Sequence, residues 1–375
     1  MLAFSRKFEF LRNFDWLPPI VVFVLSSIGL AAIYSVDLSR SDQLTFFPTQ
    51  FVALILGIIV MTVASFLHVS FYRIYARFFY IGAVLLLIGV LFFGVTVRGT
   101  TGWFRFSTFF SFQPAEFAKI GLILILAWLI SRFGRRFDKW QFIVSTGLAT
   151  FIPVGFIMLQ PDFGSALILV AIWLGMLFLT KTKKRYVAAI LAMGVGAFLI
   201  GWFFLFAPYQ KDRILTFMDP ARDPLGSGYN VTQSVIAIGA GNLFGRGLGF
   251  GSQSQLHFLP ETQTDFIFAV IAEELGFVAV CVVLSLYLLL FWRLLSLAKK
   301  APDDFSAYCL VGAVLLFFSQ MVLNIGAAAG VLPVTGITLP FLSYGGSSLI
   351  INFFVIGLVQ SVARSTREKT SFMVS

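Results

Sequence analysis

The chain has 375 residues, of which 59% are hydrophobic and only 12% charged, against roughly 45–50% and about a quarter in soluble domains. A chain this apolar cannot cover its surface in water. That excludes a soluble enzyme and a disordered protein, and two cysteines (Cys281 and Cys309, both in apolar runs) are too few for a disulfide-built scaffold. The net charge of +10 falls in short basic clusters between apolar runs, which is the pattern of membrane orientation rather than of nucleic-acid binding.

In chain order, residues 1–16 come first. Phe4, Phe8 and Leu11 make an apolar stripe at helical spacing, with Arg6 and Arg12 largely off it. This predicts an amphipathic helix lying in the membrane interface. Ten apolar runs follow, at about 17–36, 47–67, 75–97, 115–131, 141–159, 162–180, 186–207, 265–292, 306–330 and 340–363. Each is close to the ~20 residues a helix needs to cross the hydrocarbon. The runs are continuously apolar and not alternating, so helices are expected and not a barrel. The predicted fold is an all-α integral membrane protein: one polytopic domain over 17–363, a long loop at 208–264 and a tail at 364–375.

Basic residues orient it. With the N-terminus inside, 19 of the 27 Lys and Arg fall on inner segments and 7 on outer ones. Both termini are therefore expected in the cytoplasm, and the 208–264 loop outside. Its Gly, aromatic and Asp-Pro content predicts ordered structure. Polar residues other than Lys and Arg crowd the outer side, so a site is expected to face outward.

Ionisable groups inside spans are costly unless paired or hydrated. Glu116 and Lys119 stand at i, i+3 on the fourth span and can pair, either as a structural ion pair or as part of a site. Asp162 opens the sixth span, where it can cap the helix or meet a substrate. Asp265 opens the eighth. Glu273 and Glu274 follow as expected structural anchors. The segment Ser343-Tyr344-Gly345-Gly346-Ser347-Ser348 opens the last span. Its free amides suit an anion, and its small residues equally suit close helix packing. No Cys/His constellation or Walker loop is present, and the Gly-rich stretch Gly239–Gly251 follows no strand, so no dinucleotide fingerprint is read there.

Five strings then carry a resemblance: Gln113–Lys119 (QPAEFAK), Gln160–Ala166 (QPDFGSA), Asp223–Gly239 (DPLGSGYNVTQSVIAIG), Leu259–Gly276 with LPETQTDFIFAV at its head, and Leu339–Ser348 (LPFLSYGGSS). Together, and in this order, they resemble the SEDS family of shape, elongation, division and sporulation proteins. The GSQSQLHFLPE string, Gly251–Glu261, is more similar to its RodA branch than to its FtsW branch.

The resemblance implies a peptidoglycan glycosyltransferase of the bacterial cytoplasmic membrane. It would polymerise lipid II on the outer face, release undecaprenyl diphosphate and work with a class B penicillin-binding protein. It places the catalytic aspartate at Asp265 and conserved charged positions at Glu116, Lys119 and Asp162, with Glu261 of the same string among the substrate contacts. Two positions depart from the family pattern. Thr101 and Gly102, not a basic pair, precede Trp103, and Gln263 stands where a His is common.

The residues fit this chemistry. Glycosyl transfer needs a base for the acceptor hydroxyl, which Asp265 can be. It also needs positive charge for the leaving diphosphate. Arg213, Arg246, the Ser343–Ser347 segment at the last helix start, or a divalent cation such as Mg or Mn could supply it. On the residues alone, a precursor flippase, another transporter or a non-enzymatic scaffold for the penicillin-binding protein stay open as rivals.

Overall fold

The computed structural model describes residues 14–374 except 41–43, 98, 107–110, 135, 136, 138, 181, 206, 207, 220, 221, 224 and 225. Most of the predicted interfacial helix at 1–16 thus lies outside the described residues.

Ten long helices match the ten apolar runs: α1 Leu17–Arg40, α2 Phe46–Phe66, α3 Val69–Phe93, α4 Pro114–Phe133, α5 Trp140–Leu159, α6 Phe163–Leu179, α7 Lys184–Ile200, α11 Ile267–Lys299, α12 Asp304–Ala328 and α13 Gly346–Val374. Among the described residues nine are long and apolar enough to cross a membrane, α7 with the π-helical turn Gly201–Leu205 that continues it, and α6 is an apolar helix of 17 residues. The long connection holds three shorter helices, α8 Pro208–Met218, α9 Ser227–Ala240 and α10 Ser252–Gln255, so it is ordered as its composition predicts.

Three differences from the sequence reading appear. The third helix ends at Phe93, and the chain then forms a small antiparallel sheet, β1 Val95–Val97, β2 Thr100–Arg105 and β3 Ser111–Phe112. Val95 pairs with Trp103, and Phe104 with Phe112. β-branched and aromatic residues at this spacing favour pleated pairing over helix. The predicted tail is also not separate. Helix α13 continues through it to Val374. Finally, the eighth helix begins at Ile267 with Phe266 as its N-cap, so Asp265 sits just before the helix.

Helices α4 and α13 form the buried centre, while α7 stands largely exposed at the periphery. Helix α13 runs along α2 in close contact. A Cβ on Gly57 would enter the Phe353 ring, and one on Gly357 would meet Ala64 and the Met61 backbone. Without a hydrophobic driving force between helices in lipid, such close backbone approach is what gains dispersion energy.

Helix α11 is broken. Gly276 has φ 78°, a left-handed conformation that only glycine adopts cheaply. The Gly-rich stretch around 241–251 fills the break. Arg246 and Gly247 amides donate to the Glu273 and Glu274 carbonyls, and Phe277 and Val278 amides donate to Asn242 and Leu243 carbonyls. Every backbone group freed by the kink at these positions is thus returned to a partner, as a low-dielectric setting demands.

Glu273 and Glu274 are the anchors the sequence suggested. Glu273 accepts from the Gln253 and Ser254 amides at 2.8 and 3.1 Å. Glu274 accepts from Ser35 Oγ, Ser254 Oγ and Gln255 Nε2.

At the opposite end of the bundle, Asp15 pairs with Arg293 at 2.7 Å, and Gln360 brackets the Asp15 backbone through its amide and carbonyl. The start of the described chain is thereby tied to α11 and α13.

Candidate functional site

Helices α2, α4, α6, α11 and α13 all start at one end of the bundle, around a cavity of about 690 Å³. Phe46 and Thr49 of α2, Gln113 and Glu116 at α4, Asp162 and Ser165 at α6, Gln263 to Asp265 before α11, and Gly345, Gly346 and Ser348 at α13 line it. Each helix start carries roughly half a positive charge and orphan amides; Asp37, Glu116, Asp162 and Asp265 stand at or beside four of the five, and α13 has no carboxylate there. The sheet closes one side with Thr100, Trp103 and Arg105, and residues Thr335–Thr338 close another. Val52 and Leu56 line the cavity while remaining 55% and 40% exposed on the outside of α2, so the cavity has an apolar side opening.

The segment before α11 is pinned carbonyl by carbonyl. Tyr344 amide donates to Gln263 O at 2.8 Å, Ser343 Oγ to Thr264 O at 2.7 Å, and Asn324 Nδ2 to Asp265 O at 3.0 Å. Asp265 is half-buried and faces the cavity from a fixed backbone.

Glu116 sits in the first turn of α4, 4% exposed. Its Oε1 accepts from Lys119 Nζ at 2.6 Å, and its buried Oε2 has no hydrogen-bond partner. The predicted pair therefore forms. Glu116 lines the cavity, whereas Lys119, 1% exposed, lies behind it. Asp162 caps α6 as anticipated, Oδ1 accepting from the Ser165 amide at 3.0 Å while Oδ2 accepts from Gln113 Nε2 at 3.1 Å.

The turn before α13 is held by α2. Gln50 Nε2 donates to Ser343 O and its Oε1 accepts from the Gly345 amide, both at 3.0 Å. That sharpens the anion reading of this segment. The Gly345 amide is already used, and the orphan donors of the first turn are those of Gly346, Ser347 and Ser348. The packing alternative is weak at Gly346, where an added Cβ would meet only Ala53 at an ordinary 3.5 Å. Tyr344 lines the cavity.

Other predicted site residues lie elsewhere. Ser343 Oγ is committed to the Thr264 carbonyl and the Leu339 amide. Ser347 is buried off the cavity lining. Glu261 has φ 53° and accepts from Thr264 Oγ1 at 3.1 Å, outside the lining. Arg246 is held by Ser252 Oγ and the Ala240 carbonyl beside the α11 break. Arg213 lies on α8, and its side chain is outside the described residues. Among the described residues no group of three His, Cys, Asp or Glu could hold a metal ion. His68 caps α3, and His257 contacts the Ser39 carbonyl.

The sequence reading named no amide as a site residue. Gln50, Gln113 and Asn324 were legible by the same cost rule applied to ionisable groups, because an unpaired amide in a membrane helix is also expensive.

The fold and cavity define a polytopic helical membrane protein with an anion-ready site at one end. The chain matches the FtsW/RodA/SpoVE family model, described as a cell cycle protein, over residues 15–368. It is 40% identical over 311 residues to the peptidoglycan glycosyltransferase MrdB of Escherichia coli K12, covering 82% of each chain. It is 35% identical to stage V sporulation protein E of Bacillus subtilis, covering 94% of this chain and 98% of the relative. Among solved structures, it matches a chain of a peptidoglycan synthase complex that coordinates polymerization and crosslinking, with a TM-score of 0.80, 34% identity, and 94% and 98% of the two chains covered. It matches the rod shape determining protein RodA of Thermus thermophilus with a TM-score of 0.70, 32% identity, and 94% and 97% covered. The chain belongs to this family, as its motifs indicate.

Proposed function

We infer that this chain is a peptidoglycan glycosyltransferase, the activity that its curated relatives carry by name, and propose that Asp265 is its general base with lipid II as substrate. The cavity supports this reading through one observation above the rest: a carboxylate on a pinned backbone faces a ring of helix starts in a space that opens sideways toward lipid. The cavity end faces outward and both termini face the cytoplasm, in keeping with the inner excess of Lys and Arg.

In the proposed reaction Asp265 takes the proton of the acceptor hydroxyl as its oxygen attacks the anomeric carbon of the donor sugar. The bond from that carbon to the diphosphate oxygen breaks, and the diphosphate leaves as an anion. Orphan amides at Gly346 and Ser348, with Arg105 at the mouth, meet the growing negative charge. The Glu116–Lys119 pair supports the wall beside Asp162. The prenyl chain leaves past Val52 and Leu56.

The donor set fits a cation carried in on the diphosphate rather than a resident one. Both Asp162 oxygens accept protein donors, and Glu116 keeps only its buried Oε2 without a hydrogen-bond partner, its Oε1 being used by Lys119; Mg or Mn sites often combine one or two carboxylates with phosphate oxygens. Asp265 would be the carboxylate, and the cation would neutralise diphosphate charge. The crosslinking partner is a class B penicillin-binding protein in this reading, supported by the related solved complex.

Polymerisation of purified lipid II by the purified chain, with and without that partner, tests the proposal. Asp265→Asn keeps the shape and removes the base, so turnover should fall by about 10² or more. Wild-type turnover in a folded Asn variant would overturn the assignment. Lipid II binding without any polymer formed would favour the transporter reading instead.

A further inference from the structure

We propose that Asn324 is a positioning residue for this reaction: it fixes the backbone that carries Asp265 and ties it to the neighbouring Ile337 backbone of the cavity lining. The inference rests on the reading of Asp265 as the base.

Asn324 lies in the last turns of α12 and is 2% exposed. Its single Nδ2 group makes two hydrogen bonds, to Asp265 O at 3.0 Å and to Ile337 O at 2.8 Å. Asp265 and Ile337 both line the cavity, on separate segments 72 positions apart in numbering. One amide thus joins two adjacent segments of the lining, its N–H donors going to main-chain carbonyls while its buried Oδ1 has no hydrogen-bond partner. The bonds at Gln263 O and Thr264 O come from Tyr344 and Ser343, which sit on the α13 side. Asn324 supplies the third anchor from a different helix, and it falls on the residue that performs the chemistry.

The N–H of the same peptide, that of Phe266, donates to the Glu261 carbonyl at 3.3 Å. Asn324 holds the other end of that peptide, the Asp265 carbonyl itself. A base displaced by about 1 Å can lose two orders of magnitude in rate, so an anchor on its own carbonyl has leverage that a packing contact lacks. Aspartate of the same shape presents no N–H, and leucine leaves two buried carbonyls without donors.

Asn324→Ala in the full-length protein, assayed on lipid II with its partner, should lower kcat at least tenfold and leave KM within about twofold. The control is Gln320→Ala, one turn earlier on α12. Gln320 is fully buried, and neither atom of its amide has a hydrogen-bond partner. Its truncation opens buried space without removing a hydrogen bond, so it should keep its kcat even where its melting temperature falls. If both variants lose activity in step with melting temperature, Asn324 is merely structural and the proposal falls.

A second arm uses Asp265→Asn. If Asn324 acts through Asp265, adding Asn324→Ala to Asp265→Asn should slow the residual rate no further. The same tenfold loss in both backgrounds would overturn the positioning role while leaving the base assignment standing. Wild-type turnover of Asp265→Asn alone would remove the base reading, and the proposal with it.

Discussion

Helices α2 and α13 pack along each other and begin together at the cavity, yet their first turns are served differently. Asp37 of α1, fully buried, places Oδ2 against the Thr45, Phe46 and Phe47 amides at 2.8, 2.8 and 2.9 Å. One carboxylate thus quenches the start of α2. Helix α13 has no acid in its first turn, and its preceding turn is held by a neutral amide, Gln50. The start of α4 carries Glu116, that of α6 carries Asp162, and Asp265 precedes α11. Among the five helices that meet the cavity, α13 alone has no carboxylate in or beside its first turn. An anion site is here made by withholding a carboxylate as much as by providing donors.

This contrast can be broken by changing which helix start holds an anion. The largest effect is expected at α4, where the resident anion has its own cation. Lys119→Met leaves Glu116 buried without it and should cost about 3–5 kcal/mol, whereas Glu116→Gln together with Lys119→Met should cost clearly less. Thermal unfolding of the single and double variants measures the difference, and equal losses would deny the coupling.

Next comes a carboxylate written into α13. Ser348→Asp at the third helical position should lower lipid II turnover by about 10²-fold, through an anion placed where the diphosphate is proposed to sit. Its melting temperature should hold or rise, because an acid there suits the helix dipole. A variant that polymerises normally would move the diphosphate elsewhere, with Arg105 the first alternative.

Removing the anion from α2 should act on stability instead. Asp37→Ala leaves three amides without their acceptor and should cost about 1–3 kcal/mol. Turnover per folded molecule, measured after correcting for folded fraction, should change little.

The smallest effect is expected at Gly346→Ala. Its Cβ meets only Ala53 at van der Waals distance, so stability should stay within about 0.5 kcal/mol. Any loss of lipid II affinity would then report the anion site directly.

The ten spans were legible because an apolar run of ~20 residues has few other uses. The cavity's carboxylates were legible for the opposite reason, since a charge in such a run needs a purpose. The amides were harder to read. Gln50 and Asn324 look like tolerated polar residues until their partners are known, and those partners, Ser343, Gly345, Asp265 and Ile337, are main-chain groups with no signature in the sequence. Arg246 was one candidate counter-charge for the diphosphate, and its partners could not be read from the sequence. The structure commits that arginine beside the kink of α11, away from the cavity. The Gly276 break lies inside a single predicted span, just after the adjacent Glu273 and Glu274, which were read as anchors and not as the sign of a kink.

That break has a consequence for how the chain is made. A membrane helix normally satisfies its own backbone as it enters the bilayer. Helix α11 cannot do so until the Gly-rich stretch 241–251 is seated against Gly276. In chain order that stretch precedes α11, so during synthesis the splint is already outside the ribosome when the helix it must mend emerges. Moving the same stretch to follow α11, by circular permutation, would ask the helix to wait in lipid with open carbonyls at Glu273 and Glu274. Biogenesis, and not only the finished contacts, therefore constrains where these residues can stand in the sequence.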